Sequence, residues 1–235
     1  MFRNLKVLNA LGIALASLLG LASLLGFAAT SRAEQNPVTA IDIALEPDAA
    51  MIEHAEAVNA RLLKDFPKGF SLGETHHPHI SILQRYVRTA DLDNVYAVAG
   101  AILAKSKAAD WKLKALKYYY ISWKDIGLAG IVIKPTDALL KLQQSLIDAV
   151  APFTPKIGTA AAFVTTPEEP GINKPTIDYV ATFVPKASGK NFNPHVTVGI
   201  AAQHYLKDML AEPFDEFTLS PAGASIILFP PRRSG

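Results

Sequence analysis

His77-Pro78-His79-Ile80-Ser81-Ile82, in the first half of the chain, is echoed in the second by Asn193-Pro194-His195-Val196-Thr197-Val198. Each copy reads proline, histidine, aliphatic, hydroxyl, aliphatic, and each stands where a loop gives way to a strand pattern. Residues two apart on a strand share a face, so His79 and Ser81 point the same way, as do His195 and Thr197. Ile80, Ile82, Val196 and Val198 point the other way, into a hydrophobic layer that would hold each strand rigid. A proline ahead of each histidine suits the first residues of a strand. A lone His-x-Ser or His-x-Thr carries almost no information; two copies in matched context carry a good deal.

Working outward, Val38–Leu45 alternates as a strand, with Ile41, Ile43 and Leu45 turned toward a core. Glu46-Pro47-Asp48 opens a helix whose apolar residues Ile52, Ala55, Val58, Leu62 and Phe66 recur at helical spacing until Pro67 and Gly69 stop it. His79–Val87 is a second strand, followed by a helix over 91–106. Trp111–Trp123 and Ile126–Lys134 form a hairpin about Lys124-Asp125. A third helix starts at Thr136 or Asp137 and carries Leu139, Leu142, Leu146 and Val150. The Pro-rich stretch 165–175 is an exposed loop. Tyr179–Val184 and His195–Ile200 read as strands, 202–210 as a helix, and 217–219 and 224–229 as closing strands. Helices interspersed among strands without regular βαβ alternation predict an α+β fold with antiparallel pairing.

The first 33 residues have a different character. Arg3 and Lys6 precede a run from Val7 to Ala29 made almost entirely of Leu, Ala, Gly, Ile and Ser, closing on Ser31-Arg32-Ala33. This pattern predicts a secretory signal peptide over 1–33, cleaved before Glu34, and a periplasmic or secreted protein. An uncleaved anchor competes, since an apolar run of about 20 residues also spans a bilayer. Lipid attachment at the boundary needs a cysteine, and the chain has none. Residues 34–235 are then expected to form a single domain of sufficient size for a proper core, with no stable membrane association once the leader is gone.

Loss of Arg3, Lys6 and Arg32 would take the formal net charge from +2 to −1. Long nucleic acids are held by many Lys and Arg contacts to phosphate, and a nearly neutral protein offers no such face. A small nucleotide or a short RNA-derived phosphoester suits it better.

If the two motif strands face one groove, they set two imidazoles beside two hydroxyls. One neutral histidine can take a proton from an attacking oxygen while the other, protonated, gives one to the departing oxygen. Both forms are accessible near neutral pH because imidazole titrates there. Ser81 and Thr197 can donate hydrogen bonds to the non-bridging phosphoryl oxygens. The arrangement requires no metal and no cofactor.

The pair HPHISI and NPHVTVG resembles the two-histidine phosphoesterase superfamily, which includes RNA 2′-5′ ligase-like proteins and 2′,3′-cyclic nucleotide phosphodiesterases. The resemblance implies two pseudo-symmetric lobes, each an antiparallel sheet backed by helices, around a central cleft. It implies His79 and His195 as the acid/base pair, with their roles unassigned, and Ser81 and Thr197 as phosphate binders. The expected activity is opening of a 2′,3′-cyclic phosphate or cleavage of a 2′-5′ linkage. Ser81 stands where the commoner residue is Thr, which keeps the hydroxyl.

Arg85, Tyr86, Tyr118, Tyr120 and Lys190 are candidate substrate contacts, as cations for phosphate and rings for a base. Arg85 shares the parity of His79 only while the strand stays regular. Gly199 either leaves room for a ligand or packs against another backbone. His54 and His204 are expected at the surface. Two alternatives accompany the enzymatic reading. One is a nucleotide- or RNA-end-binding protein without turnover. The other is a periplasmic metal-binding protein using His76, His77 and His79, although adjacent residues rarely converge on one ion.

Overall fold

The computed structural model describes residues 37–73, 76–155, 157–165 and 171–229. The expected leader and the boundary at Glu34 lie outside the described residues. The fold is α+β. Seven strands, β1 (Val38–Pro47), β2 (Ile80–Arg88), β3 (Leu113–Trp123), β4 (Ile126–Ile133), β5 (His195–Ala202), β6 (Phe217–Leu219) and β7 (Pro221–Leu228), make one sheet in the order β6-β3-β4-β5-β2-β1-β7. Every pairing is antiparallel.

The two motif strands are neighbours at the centre of this sheet, and they touch at a single pair, Ile80 opposite Val196. By contrast β1 runs along β2 from Val38 opposite Arg88 to Leu45 opposite Ile80. β4 runs along β5 from Ile126 opposite Ala202 to Val132 opposite His195. The sheet is therefore two half-sheets joined at one point, with a splayed junction in place of a full ladder.

The helices tie the halves together. Helix α1 (Ala49–Asp65) is capped by Asp48, whose side chain accepts from the Met51 N–H at 3.2 Å, and it buries Met51, Ala55, Val58, Asn59 and Leu62. Although it follows β1, it packs on β5. Helix α3 (Asp137–Val150), capped by Thr136 through the Leu139 N–H, follows β4 and packs on β2. Each half thus sends a helix onto the motif strand of the other. Helix α2 (Leu92–Ser106) packs beside α3, and α5 (Gln203–Ala211) lies against β3, β4 and β5. No helix among the described residues is long and apolar enough to cross a membrane.

One element departs from expectation. Tyr179–Val184, read as a strand, lies within helix α4 (Lys174–Ala187). Asn173 caps it by accepting from the Thr176 N–H at 2.9 Å, and Pro175 sits in its first turn, where no backbone donor is needed. Lys174 pairs with Asp178 one turn on, and Val180 and Phe183 form the buried stripe. The β-branched and aromatic residues that suggested a strand are spaced to serve one helix face.

Burial on β1 also exceeds the simple alternation. Ile41, Ile43 and Leu45 enter the main core, but the opposite face is covered as well. Ala40 joins a second cluster with Tyr86, Ala162, Phe163, Val180 and Phe229, and Asp42 beside it is only 2% exposed.

Candidate active site

The Ile80–Val196 pair sets the geometry of everything around it. Because the strands run antiparallel through that pair, Ser81 and His195 lie on one side of it and His79 and Thr197 on the other. All four side chains then leave the same face, since each is one residue from the pair.

The two segments are matched in burial as well as in letters. Along each, the order is exposed (His77, Asn193), buried (Pro78, Pro194), half-buried (His79, His195), buried (Ile80, Val196), half-buried (Ser81, Thr197) and buried (Ile82, Val198). The rings are fixed by the same bond. His79 Nδ1 donates to the His77 carbonyl at 2.8 Å, and His195 Nδ1 donates to the Asn193 carbonyl at 2.7 Å. A carbonyl only accepts, so each bond holds the proton on Nδ1 and reserves Nε2 for chemistry.

Both strands bulge immediately after the hydroxyl residue. The register of β2 against β1 shifts between Leu83 and Ser81, and that of β5 against β4 between Gly199 and Thr197. A bulge frees a carbonyl from the ladder, and in each case a buried amide side chain satisfies it. Asn59 on α1 donates to the Val198 carbonyl at 2.9 Å and to Phe70 at 3.0 Å, and accepts from the Leu72 N–H at 3.0 Å. Gln143 on α3 donates to the Ile82 carbonyl at 3.1 Å and to Ala187 at 3.3 Å, and accepts from the Gly189 N–H at 3.1 Å. Each amide therefore binds the bulge behind one motif and the loop that precedes the other.

Each ring also meets a neighbour that the motifs do not encode. Beside the first motif, Asp42 Oδ2 accepts from Ser81 Oγ at 2.5 Å and from Gln84 Nε2 at 2.9 Å, and lies 3.5 Å from His79 Nε2. Asp42 Oδ1 and Gln84 Oε1 are buried without a hydrogen-bond partner. The Ser81 proton is thus directed at a carboxylate. Beside the second motif, Tyr119 lies in register with Gly130, and Gly130 with Thr197. The Tyr119 ring lies over Gly130, where an added Cβ would come within 2.4 Å of it, and it meets the His195 ring edge-on at 4.7 Å.

The other residues singled out from sequence are placed as follows. The bulge in β2 reverses parity, so Gln84 shares the face of Ser81 and Arg85 turns to the opposite one. Arg85 Nη1 donates there to the Ile147 carbonyl at 3.3 Å, and burial makes its guanidinium easier to deprotonate than usual. Tyr86 is buried in the second cluster, donates to the Ile177 carbonyl at 3.0 Å, and is pushed up to about 12 by burial. Arg85 and Tyr86 line a cavity of about 350 Å³ with Thr154, Pro155, Val180 and Val184, and neither histidine borders it.

Tyr118 and Tyr120 flank Tyr119 and so face away from the histidines, into the main core. Tyr118 packs edge-on against Phe214 at 4.8 Å, and burial raises its phenol. Lys190 is exposed in the 3-10 turn Gly189–Asn191, a few residues ahead of His195. Gly199, at φ +149°, backs onto α1, where a Cβ would meet Asn59 and Leu62 at 2.9 Å each; packing is its reason. His76 stacks on Phe70 at 4.6 Å, and no group of three or more potential metal ligands occurs among the described residues. His54 and His204 are exposed.

Asp42, Gln84 and Tyr119 are thus brought to the site without motif signal. Only the strand register reveals them.

No family profile matches the chain, and neither does any curated protein. Among solved structures it is similar to E. coli LigT. The apo form aligns at TM-score 0.38 and 11% identity, covering 78% of this chain and 84% of that one. The complex with NADP+ aligns at 0.37 and 13%, covering 81% and 83%, and the complex with 3′-AMP at 0.35 and 11%, covering 78% and 84%. The chain resembles the two-histidine phosphoesterases. That resemblance is carried by the paired motifs and by their meeting on one face at the centre of the sheet.

Proposed function

We propose that the protein is a metal-independent phosphodiesterase acting on a 2′,3′-cyclic phosphate or a 2′-5′ linked nucleotide by two-histidine acid/base catalysis. The observation that supports this reading is the single Ile80–Val196 pair between the two motif strands, with His79, Ser81, His195 and Thr197 each one residue from it. One neutral imidazole takes a proton from water through Nε2 as the water oxygen bonds to phosphorus. The bond from phosphorus to the ribose oxygen breaks, and the other ring, as imidazolium, protonates that oxygen. The product is a phosphomonoester. Thr197 supplies a hydroxyl donor to the phosphoryl oxygens, and Lys190 is the cation that meets the anionic part of a substrate.

The test is hydrolysis of 2′,3′-cyclic nucleotides by the purified protein in excess chelator. Turnover is expected to persist under chelation; activity that vanishes with chelator and returns with metal overturns the proposal.

A binding protein of the same fold, without turnover, draws on one observation: the Ser81 hydroxyl is already engaged by Asp42. It predicts that 3′-AMP, a ligand found with LigT, binds without any cyclic substrate being hydrolysed. Export to the periplasm or medium is part of the proposal, supported by the composition of residues 1–33. N-terminal sequencing of the protein recovered from cells is expected to begin at Glu34.

A further inference from the structure

The two motifs are alike in sequence, burial and ring anchoring, and a buried carboxylate, Asp42, stands beside the first. Asp42 is 2% exposed, and a buried carboxylate is costly unless a positive charge or several donors face it. Two donors meet its Oδ2, Ser81 Oγ at 2.5 Å and Gln84 Nε2 at 2.9 Å, and His79 Nε2 lies 3.5 Å from the same oxygen. The first two are neutral. His79 alone of the three can bring a charge.

We propose that Asp42 is a positioning residue that holds His79 in its doubly protonated form, which makes His79 the general acid and leaves His195 as the base. The inference rests on the two-histidine reading above and assigns the roles within it. Nδ1 of His79 is committed as a donor to the His77 carbonyl, so a second ring proton must sit on Nε2, the atom nearest Asp42. An opposite charge at that range favours the protonated ring. That proton is the one to be delivered to the departing ribose oxygen. Around the ring lie Asp42 from β1, which Ser81 and Gln84 of β2 also contact, and the His77 carbonyl on Nδ1.

A consequence follows for the hydroxyls. With its proton on Asp42, Ser81 turns lone pairs toward the cleft and buttresses the acid. Phosphoryl oxygens are then met by the His79 Nε2–H and the Thr197 hydroxyl. The acid side and the base side of the cleft are chemically distinct despite near-identical motifs.

The test is Asp42→Asn, which keeps shape and removes charge, followed by NMR titration of the imidazole signals. Loss of one signal in His79→Ala and of another in His195→Ala assigns them. In the wild type His79 is expected to titrate at higher pH than His195. In Asp42→Asn the His79 midpoint is expected to fall by about one pH unit or more, with His195 little changed. In the pH profile of kcat/KM, the alkaline limb should move down with His79 and the acidic limb stay in place.

An unchanged His79 midpoint overturns the proposal. Movement of the acidic limb instead also overturns it, making His79 the base. A shifted His79 midpoint in a protein that hydrolyses nothing supports the Asp42–His79 pairing and refutes the enzymatic reading, so the two failures are separable. Should Asp42→Asn fold poorly, Gln84→Leu with Asp42 retained offers the second variant. It removes a neutral donor to the carboxylate, and the His79 midpoint is expected to stay or rise; a fall overturns the proposal.

Discussion

Asn59 and Gln143 are one device used twice: each, from the first helix of its own half, binds the bulge carbonyl behind the other half's motif and the chain leading into its own half's motif. Both are nearly inaccessible, at 5% and 1% exposure, and both use donor and acceptor atoms of the amide. Where the sheet itself is joined at one residue pair, these two side chains supply polar cross-links from one half to the other.

Asn59→Ala and Gln143→Ala are therefore expected to destabilise the fold by about 2–4 kcal/mol each, because every lost bond leaves a buried backbone group unsatisfied. Chemical denaturation measures this. His204→Ala, at an exposed position, should stay within about 0.5 kcal/mol of wild type.

Two glycines should respond in opposite senses. Gly199→Ala forces a side chain into φ +149° and against Asn59 and Leu62, and should cost about 2–3 kcal/mol. Gly100 lies within α2 with open space where a Cβ would go, and Gly100→Ala should add about 0.5–1 kcal/mol. Paired thermal melts decide both.

Tyr119 is expected to matter for turnover and its neighbours are not. Tyr119→Ala removes the ring packed edge-on against His195 and should lower kcat about tenfold through loss of ring orientation. Tyr118→Phe, altered on the core face, should leave kcat within about twofold. Steady-state kinetics on the same cyclic substrate compares them.

Alkaline pH should expose the burial of Tyr86. Its phenol is held at about 12 against an ordinary 10, so the neutral form is favoured in the folded state. The resulting stabilisation is complete below pH 10 and is lost as pH rises from 10 through 12. Tyr86→Phe has no such proton to lose. Its unfolding free energy should fall less steeply than that of wild type across this window, by about 1–2 kcal/mol in total.

The strand parity of the two histidines and two hydroxyls was legible from spacing alone, because a strand start needs only local pattern. What lay beyond the hydroxyls was not. The bulge at Ser81–Leu83 reverses parity, so Arg85 leaves the face it shares with His79 in a regular strand and Gln84 takes the place. Tyr119, rather than Tyr118 or Tyr120, meets His195 because of a register running across β3, β4 and β5, and no local signal encodes that register. Asp42 looked like one member of an alternating strand; its meaning comes from the partner strand. Helix α4 is different, since its Asn173 cap and Pro175 were readable, and the β-branched run outweighed them.

The central claim is that His79 and His195 act together on one phosphorus, and kcat/KM for a 2′,3′-cyclic nucleotide across His79→Ala, His195→Ala and the double variant tests it most directly. Each single substitution should lower it by about 10²–10⁴-fold, and the double variant should be little worse than the poorer single one, because groups working as a unit are not additive. Independent, multiplying losses, or turnover that survives both substitutions, would contradict it.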